Sequence, residues 1–133
     1  QTMKKHLLGL LFPLLLLSTA FEGPFQGDAD QVIAALKSGN ASEIAKHFAV
    51  VVDIKFLNAP EDKIVATEKA ADKLAAFYSE YQVKGFERTA QREIGNTMYL
   101  TGKISGATKN YNITLMLMKK NGAPYHIVTL RVN

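Results

Sequence analysis

The most regular alternation of apolar and polar side chains lies in the last third of the chain, between residues 111 and 132. Asn121-Gly122 divides this stretch into two runs, and this dipeptide strongly favours a two-residue hairpin turn. Such a turn pairs Leu117 with His126 and Leu115 with Val128, and the pairing continues in steps of two residues. We therefore predict a β-hairpin with one nearly continuous apolar face.

The two faces of this predicted hairpin differ in composition. The apolar face contains Tyr111, Ile113, Leu115, Leu117, His126, Val128, Leu130 and Val132. The other face carries an apolar patch among polar residues, and this patch consists of Met116, Met118, Tyr125 and Ile127. We expect helices to bury the apolar face, and we interpret the patch as an interface through which two sheets pair in a homodimer. Residues 21–25 of the same chain are the alternative cover for the patch.

Helical periodicity precedes the hairpin in three segments. Residues 28–37 and 41–48 are predicted to be short helices, and Gly39 between them supplies the left-handed residue common after a helix. The longest amphipathic segment begins at Thr67, which we expect to be its N-cap, and ends by Gly85. This helix is the candidate to lie across the sheet.

Residues 50–57 are predicted to form a strand. Its buried face should consist of Val50, Val52, Ile54 and Phe56. Asp53 and Lys55 fall on the opposite face, where we expect a solvated ion pair. Residues 58–62 are predicted to be a loop, because Asn58, Pro60 and Asp62 are residues typical of turns.

A second hairpin is predicted around Gly95-Asn96, which separates residues 86–94 from residues 97–105. A two-residue turn there pairs Arg92 with Tyr99 and Arg88 with Lys103. Residues 86–94 are polar on both faces, so they form either an edge strand or the wall of a wet cavity. The predicted elements together make an α+β domain, with N-terminal helices on a curved antiparallel sheet.

The N-terminus has the order of a secretory signal peptide. Met3-Lys4-Lys5-His6 precedes a leucine-rich run at residues 7–17, and Ser18-Thr19-Ala20 follows it. The apolar run is shorter than the roughly 20 residues that span a membrane. We predict a signal peptide at residues 1–20, in which two residues precede Met3, and one exported domain at residues 21–133, periplasmic or secreted. A retained N-terminal anchor is the alternative.

Charge and cysteine content exclude several classes of function. The formal net charge of +4 falls to +2 when Lys4 and Lys5 leave with the signal peptide. This excess is too small to indicate nucleic-acid binding or a membrane-surface role. The chain has no cysteine, which excludes disulfides, thiol catalysis and a lipid anchor on cysteine.

Few residues of the chain are suited to metal binding or catalysis. His47 and His126 remain after signal cleavage, and neither has a second histidine or cysteine at metal-ligand spacing. No nucleophile motif and no phosphate-binding loop is recognisable. We therefore predict no catalytic residue, no metal and no cofactor.

The five tyrosines are the one enriched group of functional interest. Packing in the core and at its rim explains them, because a tyrosine combines a large apolar ring with a polar tip. The alternative is a pocket between the long helix and the sheet that binds a small apolar ligand. Its candidate residues are Tyr78, Tyr81, Tyr111 and His126. His126 either lies at the rim or has a hydrogen-bond partner, since burying an unpaired histidine is unfavourable.

The order of elements resembles the nuclear-transport-factor-2-like (cystatin-like) α+β folds. More closely, the chain resembles the domain of unknown function 4783, a family of exported bacterial proteins. The matching segments are residues 33–40, residues 45–48 leading into residues 52–54, residues 99–102, and residues 125–127 with 130–132. The resemblance covers residues 28–133 and implies the fold, but it brings no known activity.

We expect a binding or protein-interaction domain of unknown ligand rather than an enzyme. The alternative is a pocket enzyme of the ketosteroid-isomerase-like type, with isomerase or lyase chemistry. Relatives of that type use a pocket carboxylate as a base, and Asp53 is the residue to consider. Its position on the face shared with Lys55 argues against that role.

Overall fold

The computed structural model describes residues 29–133 of the chain. The predicted signal peptide lies outside the described residues, as do residues 21–28. Residues Gln31–Asn133 form one compact unit. In the described part of the chain, no helix is long and apolar enough to cross a membrane.

Two short helices open the described chain. Helix α1 spans Asp30–Ser38 and helix α2 spans Ala41–Ala45. Gly39 between them has a φ of +68°, as predicted from its position after a helix. Asn40 caps α2, since its side-chain oxygen accepts a hydrogen bond from the N–H of Glu43 at 3.4 Å. The short linker therefore ends one helix and begins the next within two residues.

The strands of the described residues form one six-stranded sheet, in the order β2-β1-β6-β5-β4-β3. Their bounds are Phe48–Phe56 for β1, Asp62–Ala66 for β2, Lys84–Ile94 for β3, Thr97–Ser105 for β4, Asn110–Met118 for β5 and His126–Val132 for β6. Neighbouring strands are antiparallel except β1 and β6, which run parallel. The predicted meander of the last four strands is confirmed, and so is the edge position of the polar strand β3. Strand β2 was not predicted, because its start lies in the turn-rich stretch after β1.

The long amphipathic helix α3 spans Thr67–Tyr81 and contacts β1 and β2. Thr67 is not its N-cap, contrary to the sequence prediction. Ala66 occupies the cap position without a side-chain hydrogen bond, and Thr67 Oγ1 donates to the backbone oxygen of Val50 at 3.0 Å. Gln82 ends the helix in the left-handed conformation with a φ of +52°. The Thr67 hydroxyl thus joins the start of α3 to β1 by a hydrogen bond.

Strand β1 departs from its predicted alternation most clearly at Val50. Val52 and Ile54 are buried as expected, whereas Val50 is 85% exposed. The pairing of β1 with β6 is regular from Asp53 onward, but only Phe48 pairs with β6 before that point. Residues 49–52 therefore leave the ladder with β6, and Val50 turns outward.

The register of the β5–β6 hairpin differs from the prediction. Leu115 pairs with Leu130 and Leu117 pairs with Ile127, so the hairpin connection runs over residues 119–125 and not through a two-residue turn. Val128 is the extra residue of β6 between these pairs, which makes it a β-bulge. A one-residue insertion moves the following side chains to the opposite face of the sheet.

The bulge overturns three predicted positions. Tyr125 and Ile127 are 2% and 0% exposed, so they belong to the core and not to an outer apolar patch. His126, predicted on the buried face, is exposed and pairs with Met118. The prediction fails because Val128 shifts the alternation of β6 by one residue relative to β5.

The β3–β4 hairpin follows its prediction near the turn and departs from it further away. Gly95-Asn96 forms the turn, and Arg92 pairs with Tyr99 as expected. Arg88 pairs with Gly102 and not with Lys103, because the register shifts between Arg88 and Ala90. A bulge in β3 therefore limits the correct register to the half of the hairpin next to the turn.

The core consists of apolar side chains from the helices and from one face of the sheet. The largest fully buried side chains are Leu36, Ile44, Ile54, Leu74, Leu100, Ile104, Ile113, Leu115, Leu117, Tyr125, Ile127 and Leu130. The apolar face predicted for β5 is therefore confirmed, and Leu74 is a fully buried side chain of α3. The core comprises residues from every helix and from strands β1, β4, β5 and β6.

Candidate functional site

A cleft of about 560 Å³ lies between α3 and the end of β1. Helix α3 contributes one stripe at helical spacing, Lys73, Ala76, Phe77, Glu80 and Tyr81. Ile54 and Phe56 from β1 complete this side of the lining. The opposite wall consists of Leu57, Asn58, Ala59 and Pro60 from the connection to β2, and of Asp62 at the start of β2. We call this site the aromatic cleft.

Three aromatic rings form one wall of the aromatic cleft. Phe77 stacks on Phe56 with ring centroids 4.7 Å apart and an interplanar angle of 15°. Tyr81 lies on the other side of Phe77 at 4.6 Å. Tyr111 from β5 meets Phe77 and Tyr81 edge to face, at 5.8 and 5.6 Å. Each of these pairs lies within the range of favourable aromatic contact.

The mouth of the aromatic cleft is held by polar contacts. Lys73 Nζ lies 3.0 Å from Asp62 Oδ2, which joins α3 to the start of β2. Arg131 from β6 pairs with Glu61 at 3.0 Å. Leu57 has a left-handed φ of +52°, and its N–H donates to the Val132 oxygen at 2.7 Å. These contacts fix the loop that faces the aromatic wall.

Tyr78 lies next to this wall and not in it. Its ring centroid is 6.5 Å from that of Phe77, and the side chain is 6% exposed. The Tyr78 hydroxyl is buried without a hydrogen-bond partner among the described residues. Burial raises the pKa of this hydroxyl above its ordinary value, because an ionised phenolate is poorly solvated there.

A family model described as a domain of unknown function, DUF4783, matches residues 29–133. The chain belongs to the DUF4783 family. The family predicted from the sequence is thereby confirmed. No curated protein shows significant similarity to the chain.

Solved structures agree with this membership of the DUF4783 family. A DUF4783 family protein from Bacteroides uniformis is 25% identical with a TM-score of 0.70, over 78% of this chain and 94% of that chain. A second one, from Bacteroides ovatus, is 24% identical with a TM-score of 0.70, over 77% and 90%. An NTF2-like protein of unknown function from Cytophaga hutchinsonii is 16% identical with a TM-score of 0.55, over 80% and 85%. The fold of this DUF4783 domain is therefore α+β and NTF2-like, as predicted.

The DUF4783 domain brings three of the four predicted pocket residues together. Tyr81 lines the aromatic cleft, Tyr111 packs against it, and Tyr78 lies behind Phe77. His126 lies elsewhere, in a separate groove near the β5–β6 connection. The four predicted pocket residues therefore divide between two surfaces.

Several residues of the aromatic cleft were not predicted as site residues. Phe56 was assigned only to the buried face of its strand, and neither Phe77 nor Lys73 was considered as a site residue. The spacing of Lys73, Phe77 and Tyr81 on one helix stripe is a signal that could have identified that wall. The opposite wall depends on the backbone of Leu57, and a left-handed leucine has no signal in the sequence.

Asp53, the carboxylate considered for a pocket enzyme, does not line the aromatic cleft. Its Oδ1 accepts a hydrogen bond from the N–H of Ile64 at 2.8 Å. Lys55, its predicted partner, donates to the Leu57 oxygen at 2.5 Å. Asp53 therefore anchors β2 to β1. Among residues 29–133, no group of three His, Asp or Glu side chains is placed to hold a metal ion.

The predicted homodimer interface is reduced by the burial of Tyr125 and Ile127. Met118 is 46% exposed and Met116 is half-buried. Tyr99, which pairs with Met116 across β4 and β5, is 44% exposed. Pairing of two copies through the sheet stays a prediction, and Tyr99, Met116 and Met118 are the apolar side chains available to it.

Proposed function

We propose that this domain binds a small, neutral, apolar ligand with a flat ring in the aromatic cleft. The wall formed by Phe56, Phe77 and Tyr81 is the observation that carries the proposal. A volume of about 560 Å³ lies within the range of small-molecule sites, which are mostly apolar with a few polar groups at fixed positions.

The shape of the aromatic wall supports a flat ligand. Phe77 is 6% exposed and is held between Phe56 and Tyr81, both of which are half-buried. The outer two rings therefore keep part of their surface open to the cleft. A ring of the ligand placed against them gains the offset or edge-to-face contact that aromatic pairs favour.

The charges at the rim disfavour an anionic ligand. Lys73 is paired with Asp62 at 3.0 Å, and Glu80 adds a further carboxylate to the lining. These three residues carry a net charge of −1 at neutral pH, which repels an anion. A neutral ring with one polar substituent can fill the apolar part and place that substituent at the rim.

A titration with 2-naphthol tests this proposal. We expect backbone amide NMR signals of residues 56–59 and 73–81 to shift in a saturable manner. Tyr81→Ala should weaken 2-naphthol binding at least tenfold, since it removes one ring of the wall. Tyr99→Ala, which removes an exposed tyrosine outside the cleft, is the matched control and should leave the affinity within twofold. Saturable shifts confined to other residues, or equal affinity of the Tyr81→Ala variant, would overturn the proposal.

We also propose export, on the sequence of residues 1–20 alone. The basic start, the leucine-rich run and the small residues up to Ala20 support it. Mass spectrometry of the protein expressed with these residues should find a mature terminus at or near Phe21. Recovery of the uncleaved chain in the membrane fraction would contradict this proposal and favour a retained anchor.

A further inference from the structure

A second concave surface lies where β1 and β6 separate. Val128 is left out of both ladders of β6: the β5 ladder passes from Thr129 to Ile127, and the β1 ladder passes from Asp53 to Phe48. The resulting groove has a volume of about 450 Å³. Its apolar lining includes Phe48, Val50, Met118, Pro124 and Val128. We call it the apolar groove.

Exposed apolar side chains converge on the apolar groove. Val50 is 85% exposed and Met118 is 46% exposed, although both are large hydrophobic residues. They face one concave surface together with Phe48, Pro124 and Val128. Apolar surface concentrated in this way is typical of an interaction site and not of isolated surface residues.

The wall of the groove formed by residues 119–125 is held in place. The Lys119 N–H donates to the Asn96 oxygen at 3.0 Å, and its Nζ lies 4.9 Å from the ring centroid of Tyr125. The Tyr125 hydroxyl donates a hydrogen bond to Glu93. The groove is therefore preformed, which reduces the ordering that a partner has to impose.

The charge of the apolar groove is positive. Its lining includes Lys119, Lys120 and His126 but no aspartate or glutamate. Glu93, which lies outside the lining, is 4.0 Å from Lys119 and offsets part of that charge. Lys120 and His126 are exposed. A partner that places carboxylates beside an apolar side chain is complementary to the exposed Lys120 and His126 at the edge of the groove.

A second copy of this chain fits the apolar groove poorly. A two-fold axis through the groove would bring Lys120 of both copies together, which is unfavourable. An extended or helical protein segment can insert one or two apolar side chains and leave its backbone outside.

We propose that the apolar groove docks a segment of another protein in which apolar residues are flanked by aspartate or glutamate. Phe48, Val50 and Met118 contact the apolar side chains, and Lys120 with His126 faces the carboxylates. This surface shares no lining residue with the aromatic cleft. The docking proposal and the ligand-binding proposal can therefore be tested independently.

Selection from a phage-displayed library of random 12-residue peptides tests the docking proposal. The enriched peptides should carry Asp or Glu within two positions of Leu, Met or Phe. For a labelled synthetic copy of an enriched peptide, Val50→Lys and Lys120→Glu should each weaken binding at least tenfold in fluorescence anisotropy. Raising NaCl from 50 to 300 mM should weaken binding to the unmodified protein several-fold, because the charge contribution is screened.

Ile64→Lys is the matched control for the docking experiment. Ile64 is 75% exposed on β2 and does not line the apolar groove, so this variant should bind within twofold of the unmodified protein. Enriched peptides without acidic residues, equal binding by the Val50→Lys variant, or no enrichment at all would each overturn the proposal. Sedimentation that shows a homodimer disrupted by Val50→Lys would overturn it too, in favour of a second copy as occupant.

Discussion

Gly39 and Gly85 bring two chain reversals into direct contact. A Cβ atom built on Gly39 would lie 2.7 Å from the backbone nitrogen of Gly85, a distance that side-chain atoms do not tolerate. Gly39 also has a φ of +68°. The end of α1 can therefore approach the start of β3 only because residue 39 has no side chain.

Gly39→Ala should destabilise the domain for two reasons. The left-handed backbone costs a non-glycine residue about 1–2 kcal/mol, and the new methyl group clashes with Gly85 in addition. Gly122→Ala is the control, because Gly122 has a φ of +75° and a Cβ added there would meet no atom within 4 Å. Urea unfolding should show a larger loss of unfolding free energy for Gly39→Ala. Equal losses would mean that the contact with Gly85 relaxes freely.

The bulge at Val128 can be tested by two lysine substitutions. Ile127→Lys buries a charge in the core and should lower the free energy of unfolding by more than about 3 kcal/mol, at the upper end of the usual range. Val128→Lys, at a half-exposed position, should lower it by less than about 1 kcal/mol. The straight hairpin register requires the opposite order. Chemical denaturation of both variants therefore decides between the two registers.

His47 gives stability a dependence on pH. Burial lowers its pKa below the ordinary value of 6.5, the neighbouring His126 and Lys46 lower it further, and Glu43 opposes them. The unfolded chain binds the proton more readily, so His47 contributes stability above pH 6.5 that is lost as the pH falls through its folded pKa. In His126→Gln, NMR titration should find the His47 pKa raised but still below 6.5, because burial persists. An unchanged His47 pKa would contradict the contribution of His126.

Tyr78→Phe removes a buried hydroxyl that has no partner among the described residues. The free energy of unfolding should therefore stay unchanged or rise by up to about 1–3 kcal/mol. Tyr125→Phe is the matched control. It removes a hydroxyl that is bonded to Glu93 and should destabilise the domain by about 1 kcal/mol. Thermal unfolding of both variants measures the contrast. A clear loss of stability in Tyr78→Phe would show that its hydroxyl is bonded in solution.

The two hairpins show how far local sequence determines this fold. Gly95-Asn96 and Asn121-Gly122 carry the same kind of turn signal, yet only the first joins its two strands directly. Asn121-Gly122 forms its turn, with the Ala123 N–H donating to the Lys120 oxygen at 2.9 Å, inside a longer connection. The second connection is longer because Tyr125 enters the core and bonds to Glu93, 32 residues earlier. Periodicity predicted the order and type of most elements, whereas this long-range contact sets the register and cannot be read from either run.

The candidate site was predictable to a smaller extent than the fold. Tyr81 and Tyr111 were identified because tyrosines on α3 and β5 converge in an α+β domain of this order. In the sequence, their partners Phe56 and Phe77 cannot be distinguished from ordinary core residues. The stacked pair forms only because the chain reverses at Leu57. A left-handed leucine is stabilised by its contact with Val132, which is distant in sequence.

The parallel pairing of β1 with β6 has a consequence for the order of folding. Strand β1 joins the rest of the sheet only through β6, whose residues leave the ribosome more than 70 positions later. Until then, the apolar faces of β1 and β5 lack the strand that lies between them. The pairs β1–β2, β3–β4 and β4–β5 can form without β6, but the two halves of the sheet can join only when β6 is available, so we expect the joining of β1 to β6 to be a late step of folding.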